Sequence, residues 1–243
     1  MNFRILTIVF FAVTLSVYGC NKAKYADTVA PSDDNPPLVN TIDATADTIN
    51  IYQSGIRQNS ASNIYPGGST SYLYFLRGTQ NISVKKAGSS AVLFSNTFPI
   101  DSSQYYSLFV TGTVTGDMFI TNDAIDTAQS VLENDETSTL AMVRFVNASP
   151  QSGALAMTID AGDTVNFKNI NYTGATAFVP LNATVTEFVK VFTASNNTTP
   201  AVIDTLTLQP DYIYTLYTRG SLTGTGKNAL NISVAVDPYI IPR

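Results

Sequence analysis

Cys20 is the only cysteine in a chain of 243 residues that contains no histidine. Without histidine there is no Ser-His-Asp arrangement, no usual general base and no imidazole ligand for zinc. Glutamate is confined to Glu133, Glu136 and Glu187, the first two within a polar stretch between Asp126 and Thr139. Glycosidase chemistry needs two carboxylates across one bond. Asp160 and Asp163 lie close in sequence, but they flank Ala161-Gly162, where a hairpin turn accounts for aspartate on backbone grounds. Gly220 to Gly226 (GSLTGTG) has the glycines of a phosphate loop without its Gly-Lys-Ser/Thr ending. Calcium would need several loop oxygens. Asn122-Asp123-Ala124-Ile125-Asp126 and Asp160-Ala161-Gly162-Asp163 supply candidates, neither with the spacing of a calcium loop. No catalytic, cofactor-binding or metal residue is assigned, no cofactor is expected, and the chain reads as a non-enzyme.

That leaves Cys20 itself. A basic start with Arg4 precedes the apolar run Ile5 to Val17, which closes on Val17-Tyr18-Gly19-Cys20. This is the layout of a secretory signal peptide over residues 1–19. A cysteine just after the cut resembles the lipobox of bacterial lipoproteins, in which the thiol becomes a thioether to diacylglycerol. The alternative is an unmodified cysteine beside an apolar segment too short to span a bilayer, which takes about 20 apolar residues. Acyl chains bury ~0.8 kcal/mol per methylene, so two or more anchor stably. The expected partner of Cys20 is therefore the membrane. Asn21 stands where aspartate would retain such a protein at the inner membrane, so an outer-membrane lipoprotein, on the periplasmic or cell-surface face, is expected.

Residues 20–37 are polar and end in Pro36-Pro37, as an extended tether would. Removing the signal takes away Arg4 and moves the formal charge of −5 further negative. A mildly acidic chain whose longest basic run is Lys85-Lys86 lacks the clustered cations that nucleic acid requires. An apolar content of 44% is enough for packed cores. With no cysteine beyond Cys20, those cores have no disulfide to help them.

Beyond the tether the chain repeats at a spacing of about 107 residues. Val39-Asn40 echoes Val146-Asn147, and Gly68-Ser69-Thr70 echoes Gly174-Ala175-Thr176. Tyr106-Ser107-Leu108-Phe109 returns as Tyr214-Thr215-Leu216-Tyr217, and Gly112 to Gly116 returns as Gly220 to Gly224. Each copy is built of short alternating runs such as Ile49-Asn50-Ile51 and Leu155-Ala156-Met157-Thr158-Ile159, punctuated by turn residues. The expectation is an all-β chain of two tandem immunoglobulin-like β-sandwiches, residues 38–125 and 140–243, joined by a linker at 126–139. Tyr106 and Tyr214, each following a turn, fit a tyrosine corner whose hydroxyl bonds back to the preceding backbone.

Copy two opens with Val143-Arg144-Phe145-Val146-Asn147-Ala148-Ser149-Pro150 and later reads Leu208-Gln209-Pro210-Asp211-Tyr212-Ile213-Tyr214-Thr215. These stretches resemble the bacterial domain of unknown function 4397, whose copies open on a "VRxVNASP"-like strand and carry an "L-x-x-G-x-x-Y-T" segment. In copy one the opening reads Leu38-Val39-Asn40-Thr41, without the arginine and proline. The resemblance implies exported, lipid-anchored proteins with Ig-like folds, many from Bacteroidota. It implies no enzyme activity and no ligand.

Two binding chemistries stay open. Thirteen tyrosines and thirteen phenylalanines could include a sugar-stacking platform, with Tyr72 and Tyr74 on one strand face and Tyr212 and Tyr214 on another; core packing is the alternative. Asp-Thr followed by a small or aliphatic residue recurs at Thr28, Thr48, Thr127, Thr164 and Thr205. This resembles the O-glycosylation acceptor pattern of exported Bacteroidota proteins; aspartate starting turns in a threonine-rich chain explains it equally. The functional expectation is a lipid-anchored binding or spacing module of the cell envelope. A carbohydrate-binding accessory of a surface glycan-uptake system and a structural or adhesive protein are the alternatives, with an envelope protein or glycan as partner.

Overall fold

The computed structural model describes residues 35–59, 62–112, 117–137, 139–161, 163–183 and 186–237. Cys20, Thr28 and nearly all of the tether lie outside them. The first copy contains β1 (Leu38–Asp43), β2 (Ile49–Gln53), β3 (Ile56–Arg57), β4 (Ser69–Tyr74), β5 (Gly78–Lys86), β6 (Val92–Ile100), β7 (Tyr105–Val110) and β8 (Met118–Asn122). Helix α1 (Ile125–Glu133) follows. The second copy contains β9 (Leu140–Asn147), β10 (Leu155–Ala161), β11 (Asp163–Ile170), β12 (Val179–Asn182), β13 (Thr186–Thr193), β14 (Val202–Thr207), β15 (Ile213–Arg219) and β16 (Asn231–Asp237).

The strands form four four-stranded sheets, two per copy, so the fold is all-β with two tandem β-sandwiches. In copy one the orders are β4-β1-β7-β8 and β3-β2-β5-β6; in copy two they are β12-β9-β15-β16 and β11-β10-β13-β14. Strand for strand, the second set repeats the first. The opening strand of each copy runs parallel to its seventh, β1 on β7 and β9 on β15, while its other neighbour is antiparallel. Each sandwich closes on its own core. Val39, Ile51, Ile82, Val84 and Leu108 pack in the first, and Val143, Phe145, Met157, Ile159 and Leu216 in the second.

Burial separates the sheets into two kinds. In the outer sheet of copy two, β13 (TEFVKVFT) buries Glu187, Val189 and Val191 between more exposed neighbours, and β14 (VIDTLT) alternates half-buried with exposed side chains, the pattern of a sheet with one wet face. The central strands of the inner sheets do not. All but the first residue of β1, β7 and β9 is buried, and all but the last of β15. A strand buried on both faces must be covered on both, and here the second cover is the other sandwich.

The register corrects one match in the repeat. Val39 pairs with Tyr106 and Val143 with Tyr214, which makes Val39 the counterpart of Val143 and Asn40 the counterpart of Arg144. Side-chain bonds agree: the Thr41 N–H donates to Thr70 Oγ1 at 2.9 Å and the Phe145 N–H to Thr176 Oγ1 at 3.0 Å. Asp43-Ala44-Thr45 therefore stands where Asn147-Ala148-Ser149 stands in copy two. Val39-Asn40 and Val146-Asn147 share letters without sharing a place, because a two-residue identity cannot fix strand register.

Both tyrosine corners form. The Tyr106 hydroxyl accepts from the Asp101 N–H at 3.1 Å, and the Tyr214 hydroxyl from the Gln209 N–H at 2.9 Å. Each ties the turn before the seventh strand to that strand. Replacing Tyr106 or Tyr214 with phenylalanine keeps the ring and removes one bond. Each change is expected to cost ~1 kcal/mol, measured as a lower midpoint of urea unfolding with an unaltered slope.

Candidate functional site

The two inner sheets meet face to face, and among the described residues the buried ion pair and its polar neighbours lie in that seam. The central strands bring Arg144 on β9 against Asp123, the residue that follows β8. Arg144 Nη1 lies 2.7 Å from Asp123 Oδ1, with 2% and 0% of the two side chains exposed. Arg144 Nη2 donates to Ser107 Oγ at 3.0 Å, and its Nε donates to Thr215 Oγ1 at 2.9 Å. The guanidinium stands 4.7 Å from the centre of the Phe178 ring. Asp123 Oδ2 accepts from Ser107 Oγ and from the Tyr72 hydroxyl, both at 2.7 Å, and Oδ1 accepts from Thr121 Oγ1 at 3.0 Å. Burial beside the Asp123 carboxylate pushes the Tyr72 hydroxyl far above the usual tyrosine range.

Removing two charges from water costs several kcal/mol per ion, and only close geometry with every remaining lone pair satisfied offsets it. That condition is met here. The pair thus specifies how the sandwiches dock: a sheet shifted along the seam would strand one buried charge.

Apolar contacts complete the seam on either side. Ile42, Ala44 and Phe109 of copy one pack with Val146, Ala148, Tyr217 and Ala235 of copy two. Phe109 stacks on Phe119 and meets Tyr217 edge-on, centroids 5.7 Å apart. Beyond the ion pair, α1 buries Ile125, Ala128 and Leu132 against Met142 and Ile213. Residues 126–139, read as a plain linker, therefore carry an ordered element. Asp135 holds the return to β9, accepting the Thr137, Thr139 and Leu140 N–H groups. The Thr137 hydroxyl and these amides draw its carboxyl down to about 2.

A cleft of about 670 Å³ opens at the opposite edge of the seam, lined by Thr45, Asp47, Thr111, Tyr172, Ser221 and Lys227 among others. Two bonds cross it between the copies: the Thr111 and Tyr172 hydroxyls lie 2.6 Å apart, and Lys227 Nζ donates to the Ala46 carbonyl at 3.1 Å. Lys86 pairs with Asp47 at 2.9 Å and holds its carboxyl below the ordinary aspartate range.

The remaining expected residues are scattered. Asp123, a candidate calcium ligand in the sequence, is committed to Arg144. Asp160, from the second candidate loop, pairs with Lys190 at 2.6 Å on the outer sheet of copy two. Among the described residues no cluster of three metal-ligating side chains forms. Glu187 is buried; its Oε2 accepts the Leu208 N–H at 3.3 Å, and desolvation raises its carboxyl. Thr127 on α1, Thr164 on β11 and Thr205 on β14 are exposed, Thr48 before β2 is half-buried, and the four do not share an element. Of the tyrosines weighed for sugar stacking, Tyr74 is exposed, Tyr72 and Tyr212 are half-buried, and Tyr214 is buried. The close ring pairs among the described residues, such as Tyr72 with Tyr105 and Tyr212 with Tyr214, contain no exposed ring.

Arg144 and Asp123 were in view in the sequence, one as a motif letter and the other as a turn residue, but not as partners. The signal was the arginine itself, set inside the apolar run LAMVRFVN. A charge in such a run needs a buried counter-charge.

The model of the domain of unknown function 4397 matches residues 37–137 and again 141–240. The chain belongs to this family, in two tandem copies. Among solved structures, a protein of Bacteroides ovatus described as a "putative cell adhesion protein" aligns over 86% of this chain and 99% of its own at 10% identity, with a TM-score of 0.23. A likeness that distant carries no argument about fold or role. No curated protein matches the chain.

Breaking the central pair from one side leaves a charge buried. Arg144→Ala is expected to cost ~3–5 kcal/mol. The paired change Arg144→Met with Asp123→Leu should recover most of it, as a double-mutant cycle in urea will read.

Proposed function

We propose that this protein is a non-catalytic, lipid-anchored module of the cell envelope that presents two locked sandwiches as one spacer and binding body. The observation that carries this reading is the fate of its chemistry. Arg144, Asp123, Lys190 and Asp160 are engaged in ion pairs, and those at the centre of the seam are sealed from solvent. Charged groups used this way fix shape rather than turn over a substrate. No helix among the described residues is long and apolar enough to cross a membrane. Attachment then falls to lipid on Cys20, with the proline-ended tether setting the distance from the bilayer and the outer membrane as its site.

Among the partner classes, a protein strand suits the surface better than a glycan. β6 forms a sheet edge of nine residues, VLFSNTFPI, that contains no charge and exposes Val92 and Leu93. Its counterpart edge β14 carries Asp204, and the opposite edge β11 carries Lys168. Edges without charge are open to strand addition. This favours the structural or adhesive reading over carbohydrate binding, which needs exposed rings side by side; exposed Tyr65, Tyr74 and Phe188 are not in the close ring pairs among the described residues. Thr48, Thr127, Thr164 and Thr205 sit outside the cores, and together with Thr28 they are the proposed positions for O-linked sugar.

Two measurements test this. Cys20→Ala should move the protein from the membrane to the soluble fraction with both sandwiches folded; retention in the membrane overturns the anchor. Leu93→Lys with Thr97→Lys should abolish crosslinking to envelope partners in intact cells, and undiminished crosslinking removes β6 as the contact.

A further inference from the structure

Asp43, at the end of β1, occupies the seam position held by Asn147 in copy two. The two residues do the same backbone work. Asp43 Oδ1 accepts the Thr45 N–H at 2.9 Å, and Asn147 Oδ1 accepts the Ser149 N–H at 3.1 Å. Asp43 N–H donates to the Gly68 carbonyl and Asn147 N–H to the Gly174 carbonyl, at 2.9 and 3.0 Å. The Thr45 hydroxyl adds a further bond to Asp43 Oδ1 at 2.7 Å.

The second side-chain atom separates them. Asn147 Nδ2 is a donor, bonded to the Gly153 and Ile170 carbonyls at 2.9 and 3.0 Å. Asp43 Oδ2 is fully buried and has no hydrogen-bond partner. A position built for a neutral amide thus holds a carboxyl group, sealed between Ile42 and Ala44, which pack against the second sandwich.

The charged groups around it do not compensate an ionised carboxylate. From β15 come Arg219, whose Nε is engaged with Ser233 Oγ at 2.9 Å, and Tyr217. From the turn after β1 comes Asp47, of like charge and paired with Lys86. The turn before β4 contributes backbone at Gly67 and Gly68.

We infer that Asp43 is a proton-dependent catch in the seam: docked, its carboxyl group carries a proton and is neutral, as the Asn147 side chain is in the repeat, and ionisation loosens the joint beside the interdomain cleft. Desolvation outweighs the Thr45 bonds and the attraction of Arg219, holding the group at about 7 rather than 3.8. The sign follows. Between these values the folded chain keeps a proton that the unfolded chain has lost, so the contribution of Asp43 to stability is full below pH 4 and falls as pH rises towards 7. Ala44, Thr45 and Asp47 line the cleft, so the strand end that loosens is also a wall of it.

The test compares the full chain with Asp43→Asn by urea unfolding from about pH 5 to pH 8.5. The variant should gain relative to the parent as pH rises, by on the order of a hundred-fold in the folded-to-unfolded ratio across that span. Taking the difference cancels the other titrating groups. Parallel profiles overturn the inference. The carbon-13 shift of the Asp43 carboxyl gives a reading that needs no variant: a titration midpoint near 7 supports the catch, and one near 4 overturns it. Asn147→Asp, the converse change, should introduce a second loss of stability with rising pH.

Discussion

A charged guanidinium buried between two β-sheets is the constraint on which this molecule depends. Apolar faces alone can slide, since hydrophobic contact is non-directional and depends on area. Arg144 removes that freedom. Its donors meet Asp123, Ser107 and Thr215 at once, so the copies are held in one orientation. Asp123 is itself fixed by Tyr72 and Thr121. The network joins strands from both inner sheets, and everything outward of them follows: two ordinary sandwich cores, then two wet outer faces.

The copies meet through equivalent faces, yet they have not stayed equivalent. Where copy two has Arg144, copy one has Asn40. Two arginines facing across one seam would repel and would compete for one acid, so the asymmetry is what lets a single ion pair work. The same divergence left Asp43 opposite an amide in the repeat. Both positions lie on β1 and β9, strands buried along all but their first residue.

Much of the architecture was written in the sequence as period and punctuation. Alternation in Leu155 to Ile159 and the Gly-containing turns identify the outer strands. The turn before each seventh strand, followed by tyrosine, identifies the corner. What escaped was the second layer of burial. LAMVRFVN and YYSLFV are too continuously buried for a sheet with a wet face, and read against TEFVKVFT they distinguish strands covered twice from strands covered once. Helix α1 was hidden by its length. Nine residues contribute three buried positions, Ile125, Ala128 and Leu132, too few for a periodicity over three turns. The partnership of Arg144 with Asp123 depends on how two domains dock, which no local pattern encodes.

The helix between the copies makes the two halves of one interface parts of a single molecule. Association of separate chains varies with their concentration, whereas a covalent connection replaces it with a fixed effective concentration set by the connector. Here the connector is itself folded into the seam through Ile125, Ala128 and Leu132. The pairing of the sandwiches is accordingly indifferent to dilution. A sparse population of molecules keeps the same two-domain form as a crowded one.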